Sequence, residues 1–274
     1  MNTALLLQSG FYPMKSGHLF LHVARGSNNN TAVVILPPFA EEMNKVRHLL
    51  SDTMRKLAAA GLSCFMLDNY GTGDSEGDLD TATTTIWRED LLQLLSKLRN
   101  EGFEQVSFIA VRFGTLQLFD LLNQHELPLT TKQLLLWQPM FDVTKFWQQF
   151  ARIKVAEAMA SGVKLHQKDL EQQLNDGHSV EIGGYPISPD WYHSLLQMQL
   201  NLPVVLPQFS LSWFETSQLD NIAIPVQKML QQLEQQQKVN FVQLNAEPYW
   251  QTVELARADA LITLTVQQLT AGAV

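Results

Sequence analysis

The feature that most constrains this 274-residue chain is an alternation of short apolar runs with stretches of helical period. "LSCFMLD" (62–68), "VSFIAV" (106–111) and "QLLLWQP" (133–139) are almost uninterrupted apolar segments, as expected of strands buried on both faces. Between them, "VRHLLSDTMRKLAAAG" (46–61), Thr83–Asn100 and Phe113–Asn123 carry apolar residues at helical spacing. Gly61 and Gly102 supply C-terminal stop signals for the first two. Strand, helix, strand, helix in this order demands an α/β fold, with a mostly parallel central sheet and helices on both faces.

The flanking regions extend the pattern. "HLFLHV" (18–23) and "TAVVIL" (31–36) bracket the polar connection "ARGSNNN" and read as an antiparallel strand pair. After residue 141 the alternation stops. Residues 142–176 read as helices, followed by a polar, Gly- and Pro-marked patch, "HSVEIGGYPISPDWYHSLLQMQL". An insertion over residues 142–203 is expected to lie across one end of the sheet as a helical cap. The pattern then resumes with strands at 208–215 and 239–244, a helix over 222–237 and a terminal helix over about 253–268. The expectation is one domain, 1–274, with the cap inside it; a chain of this length can bury about three-quarters of its unfolded surface.

Charge and cysteine usage exclude several classes. The formal charge is −8, with no Lys/Arg run, which argues against nucleic-acid binding. The one cysteine, Cys64, sits inside an apolar run and permits no intrachain disulfide, which fits a reducing compartment. "MNTALLLQSG" has no basic n-region and no small-residue cleavage site, so it reads as mature sequence. No apolar run approaches the ~18 residues of a transmembrane segment. A cytoplasmic protein without a cofactor is the expectation. No histidine pair has metal-ligand spacing, so no metal site is expected.

In an open α/β sheet, ligands bind beyond the carboxyl ends of the strands. The decisive loop is "AVRFG" (110–114), a small-flanked strand-to-helix turn of the kind that carries a nucleophile in G-x-S-x-G hydrolases. Its centre is Arg112, whose guanidinium stays protonated and is no nucleophile. The loop after the last strand, "NAEPYWQT", should supply a general-base histidine, but the chain has none after His193. Glu215 stands where a triad acid would, with no histidine to orient. In a serine protease, losing nucleophile or base costs roughly six decades of turnover. Ser-His-Asp acyl transfer is therefore not expected.

Five segments together, "PFAEEMNK" (38–45), D-x-x-G-x-G-D-S-x-G (68–77), the elbow (111–114), "LLLWQP" (134–139) and "YWQT" (249–252), resemble the exosortase A system-associated hydrolases of type 2. The resemblance spans nearly the whole chain in order. It implies the α/β-hydrolase fold and a bacterial protein associated with exopolysaccharide machinery and exosortase sorting. It also implies that Arg at the elbow is a family trait. The family usually has His-Pro-Phe where this chain has Pro37-Pro38-Phe39, which removes one proton carrier.

The candidate catalytic residues are Arg112, Glu41 and Glu42. Arg112 either anchors a substrate anion, helped by the helix N-terminus, or pairs with Glu41 or Glu42. One of those carboxylates, in a dry pocket, could serve as general acid or base. Phe39, Asn44, Asp68, Trp137, Gln138, Tyr249 and Trp250 are candidate substrate-binding residues, the aromatic ones forming a stacking wall for a sugar or acyl chain. Asp68 and Asp74 could equally serve only to hold the glycine loop. Ser75 lacks a base, and His178 or His193 could reach the cleft from the cap. The expected ligand is a small or saccharide-linked anion. Two functions stand open: an atypical hydrolase or transferase, and a catalytically inactive binding or scaffold protein.

Overall fold

The computed structural model describes residues 8–252 and 256–271. In chain order the elements are β1 (Gly10–Pro13), β2 (His18–Ala24), β3 (Asn28–Leu36), α1 (Glu41–Ala59), β4 (Leu62–Leu67), α2 (Thr84–Asn100), β5 (Gln105–Val111), α3 (Gly114–Gln124) and β6 (Thr130–Trp137). There follow α4 (Val143–Ala160), α5 (Gln167–Asn175), β7 (Val180–Ile182), β8 (Tyr185–Ile187), α6 (Pro189–Leu196), β9 (Ser210–Ser217), α7 (Ile224–Glu234), β10 (Val239–Asn245) and α8 (Asp259–Thr270). Eight strands form one sheet in the order β1-β2-β4-β3-β5-β6-β9-β10. The pairs from β4 to β10 are parallel; β1 and β2 are antiparallel additions at one edge.

The expected pairing of 18–23 with 31–36 is corrected by this order, because β4 lies between them. The reason is legible in burial. Val33, Val34 and Ile35 are buried on both faces, so β3 needs strand neighbours on both sides and helices above and below. In β2 only Leu19 and Leu21 are fully buried, the alternation of a strand nearer an edge. β3 also feeds its two faces to different cores. Ala32, Val34 and Leu36 pack with α2 and α3, while Val33 and Ile35 pack with α1 and α8.

Three further expectations shift. α1 begins at Glu41 rather than at residue 46, so Glu41 and Glu42 form its first turn, where the helix dipole favours anions. β1 and the β7–β8 hairpin are strands the apolar pattern did not reveal. The terminal helix runs Asp259–Thr270; residues 253–255, where it was expected to start, lie outside the described residues.

The connection between β6 and β9 holds α4, α5, the β7–β8 hairpin and α6. It packs on the sheet end through a third apolar cluster centred on Phe39. The Phe39 ring stacks on Trp191 at 5.0 Å and meets Phe150 at 5.3 Å, Phe113 at 5.5 Å, Trp87 at 5.8 Å, Phe146 at 6.0 Å and Tyr185 at 6.3 Å. Such pairs add about 0.5–1.5 kcal/mol each beyond their buried area. On the far side, Asp120 of α3 accepts from the backbone N–H of Gln199 at 2.7 Å and from Arg88 at 2.7 Å, tying the returning chain to the body.

Candidate ligand site

The elbow forms because of two close approaches. A Cβ at Gly114 would stand 2.1 Å from the Leu36 carbonyl oxygen, so α3 can start this near β3 only with glycine there. Arg112 sits at φ 52°, the left-handed region that L side chains avoid. Its N–H donates to the Trp137 carbonyl at 3.0 Å, and its own carbonyl accepts from Thr115 N–H at 3.0 Å. The backbone is thus held in the turn from both sides.

This backbone aims the Arg112 side chain into a built environment. Nη2 donates to Glu42 Oε1 at 2.8 Å, and Nε lies 3.2 Å from both Glu42 oxygens. Nη2 also donates to Gln149 Oε1 of α4 at 3.1 Å. The guanidinium carbon stands 4.7 Å from the centre of the Trp250 ring. The Arg112 side chain is only 8% exposed, while that of Glu42 is 28% exposed. Of the two readings of Arg112, the ion pair is therefore the arrangement present, and its partner is Glu42. Glu41 points elsewhere: it is exposed and accepts from Asn44 Nδ2 at 3.3 Å.

Beneath the pair lies a buried polar layer. Glu215 is 6% exposed, and its Oε1 accepts from the Trp213 indole at 2.7 Å. Burial pushes its carboxyl up to about 7, although the Trp213 hydrogen bond and the nearby Arg112 charge pull the other way. Tyr249 is 2% exposed, burial drives its phenol well above its ordinary value, and its hydroxyl has no partner among the described residues. Gln138, at φ 45°, has its Oε1 2.8 Å from the Thr216 N–H and so ties the ends of β6 and β9 together.

Above the pair opens a cavity of about 380 Å³. Phe39, Met140, Phe146, Phe150, Ile153 and Trp250 give it apolar walls; Lys45 and Arg152 bring cations, and Glu41 and Glu42 carboxylates. Of the expected binding residues, Phe39 and Trp250 line this space, as do both candidate glutamates. Trp137 does not: it is fully buried, and its indole donates to Thr265 at 2.9 Å in the core against α8. Tyr249 and Gln138 are likewise absent from the wall, the first packed edge-on against Trp250 at 5.0 Å.

Asn44 and Asp68 belong to a second, smaller cavity of about 150 Å³, on the other side of Phe39 and Ala40. Asn44 donates to the Tyr185 hydroxyl at 2.8 Å. Asp68 is 2% exposed, and its Oδ2 accepts from the Asp74 N–H at 3.0 Å. Burial opposes its charge, but the His22 ring, the Asp74 N–H and Arg47 outweigh this and hold it below the usual carboxylate range. His22, Asp68 and Asp74 come within 4.8 Å of one another, a metal-like grouping that the chain spacing did not suggest. Arg47 Nη1, 3.0 Å from His22 Nε2 and 3.2 Å from Asp68, already supplies a cation to it. Ser75 Oγ donates to the Asp68 carbonyl, and so serves the glycine loop. Neither His178 nor His193 lines either cavity; His193 Nε2 lies 3.1 Å from Asn175 Oδ1.

Sequence reasoning missed the α4 contribution. Phe146, Gln149, Phe150 and Ile153 recur at helical spacing with Arg152 beside them, and all five line the cavity. The signal was a helical stripe of apolar residues interrupted by the exposed Gln149.

Neither a protein-family profile nor a curated protein sequence matches the chain. Solved structures do. The chain is similar to the Est1E protein of Butyrivibrio proteoclasticus with ferulic acid bound, at TM-score 0.68 and 12% identity over 96% of this chain and 98% of that one. It is similar to mouse alpha/beta hydrolase domain-containing protein 10, at TM-score 0.61 and 12% identity over 97% and 98%. It is also similar to an alpha-beta serine hydrolase homologue from Coxiella burnetii, at TM-score 0.56 and 15% identity over 97% and 100%.

Proposed function

We propose that this chain, which has the α/β-hydrolase fold, is a ligand-binding protein that does not perform Ser-His acyl transfer. One observation carries the reading: the elbow residue is Arg112, engaged by Glu42, Gln149 and Trp250 beneath a formed cavity. A nucleophile's position is filled by a group that donates hydrogen bonds and bonds to nothing covalently. The ligand is a small anionic molecule, acyl or saccharide-linked, held between the β6–β9 connection, acting as a cap, and the sheet end. Its setting is the exopolysaccharide and exosortase system, on the strength of the five segments from "PFAEEMNK" to "YWQT". No described helix is long and apolar enough to cross a membrane.

A second reading has its own support. Glu215, with a carboxyl near pH 7 beside Arg112, has the proton affinity of a general acid–base group. It is 6% exposed and does not line the cavity, so substrate would have to reach it past Trp250 and the ion pair. The binding reading requires no such opening.

The test is a panel of p-nitrophenyl esters with a fluorophosphonate label. No labelling, and turnover no higher than that of Arg112→Ala, is expected. Ester turnover abolished by Glu215→Gln or Glu42→Gln would replace the binding reading by the catalytic one.

A further inference from the structure

The cavity combines two kinds of wall, and together they narrow the ligand. One kind is aromatic and aliphatic: Phe39, Phe146, Phe150 and Trp250, with Met140 among the same lining residues. Its cations come from two elements, Lys45 from α1 and Arg152 from α4. Arg152 is exposed and Lys45 half-buried, and no ion pair engages either among the described residues. The charge that looked available from the sequence, Arg112, is spent on Glu42. Glu41 also lines the space but is drawn toward Asn44. Arg112 does not itself line the cavity; with Glu42 engaged by it, the lining groups outside that ion pair are Lys45 and Arg152 against Glu41, one net positive charge.

We infer that the ligand is an amphipathic carboxylate, such as a medium-chain acyl acid. Its carboxylate lies between Lys45 and Arg152, and its apolar body lies against Phe39, Phe146, Phe150 and Trp250. This rests on the binding reading above and deepens it. The orientation is the reverse of the one expected from a hydrolase turn: the charged head faces outward and the tail faces the elbow. The cavity volume lies at the lower end of the range for small-molecule sites, which suits a single acyl chain. A carboxylate at the elbow itself would meet Glu42 at like charge; an apolar tail meets Trp250 and the aromatic walls instead. A bare sugar acid, lacking a tail, leaves the aromatic walls unfilled.

The experiment is titration calorimetry of the purified full chain with decanoate, decanol and glucuronate. Decanoate is expected to bind most tightly, and to weaken as salt is raised, because its ion pairs are partly exposed. The double variant Lys45→Ala with Arg152→Ala, both partly or fully exposed positions, is expected to weaken decanoate at least tenfold and leave decanol unchanged. An unchanged melting profile checks that the variant folds. Ile153→Trp, which fills the cavity, is expected to weaken both decanoate and decanol. Decanoate binding unaffected by the double variant, or glucuronate binding tighter than decanoate, overturns this assignment and leaves the broader binding function standing. If none of the three binds and Glu215→Gln abolishes an ester turnover, both readings fail together.

Discussion

The Arg112 guanidinium lies 4.7 Å over the Trp250 ring, joining the turn after β5 to the segment that follows β10. A desolvated cation–π contact of this kind is worth about 2 kcal/mol. With Glu42 it makes Arg112 the point where chain ends from across the sheet are fastened. This explains how an unfavourable φ of 52° is tolerated in the middle of a buried turn.

Arg112→Ala is expected to lower unfolding free energy by about 2 kcal/mol or more in urea denaturation. Breaking a buried pair costs about 3–5 kcal/mol, and the partial exposure of Glu42 reduces this. Arg112→Gly loses the same contacts but relieves the left-handed backbone. It should therefore be about 1 kcal/mol more stable than Arg112→Ala. If the two variants unfold at the same denaturant concentration, the strain attributed to this position is absent.

Gly114→Ala is expected to be among the most damaging single changes, at about 3 kcal/mol or more, because its Cβ would meet the Leu36 carbonyl at 2.1 Å. Helix propensity alone favours alanine here by about 1 kcal/mol. Circular dichroism melting gives the sign directly: a higher Tm for the alanine variant would contradict the close approach.

Glu215 predicts a specific pH dependence. Its carboxyl is raised from about 4.5 to about 7 by burial, so between these values the folded state holds a proton the unfolded chain has lost. Stability therefore falls as pH rises from about 4.5 to about 7, and levels off above. Glu215→Gln keeps an oxygen for the Trp213 indole and removes the charge. The variant should lose less stability than the parent between pH 5 and pH 8, by on the order of 2 kcal/mol. Parallel stability–pH curves for the two proteins would refute it.

Arg112→Ser places a hydroxyl at the elbow, yet no fluorophosphonate labelling is expected. The chain has no histidine beyond His193, which is bonded to Asn175 away from the cavity. Stoichiometric labelling of this variant would mean that another base serves the position.

Phe39→Ala should cost about 3–5 kcal/mol, and should also speed limited proteolysis within the β6–β9 connection. The ring meets aromatic side chains from α2, α4, β8 and α6 as well as the elbow's own Phe113. Destabilisation without any change in the cleavage pattern would show that the connection is held independently of it.

The alternating apolar runs made the parallel sheet legible, because strands covered on both faces must be apolar throughout. The position of β2 was not legible, since sequence adjacency to β3 suggested a hairpin that β4 displaces. At the site, the Arg112 turn could be read from small flanking residues, and its pairing with a neighbouring glutamate was one of two readings. Trp137 was misjudged because a strand-end aromatic can point to either face; it lies inward on Thr265. Gln149 and Arg152 were not anticipated, because which face of α4 meets the elbow depends on packing of the whole connection rather than on its period.

The six rings around Phe39 also bear on how anything gets in. A connection that swung open would have to part Phe39 from Phe146, Phe150, Tyr185 and Trp191, exposing aromatic surface to water with each opening. The cavity already meets solvent along its polar lining, where Glu41 of α1 and Gln149 and Arg152 of α4 are exposed. A guest arriving along that edge meets its charges first and leaves the aromatic packing around Phe39 undisturbed.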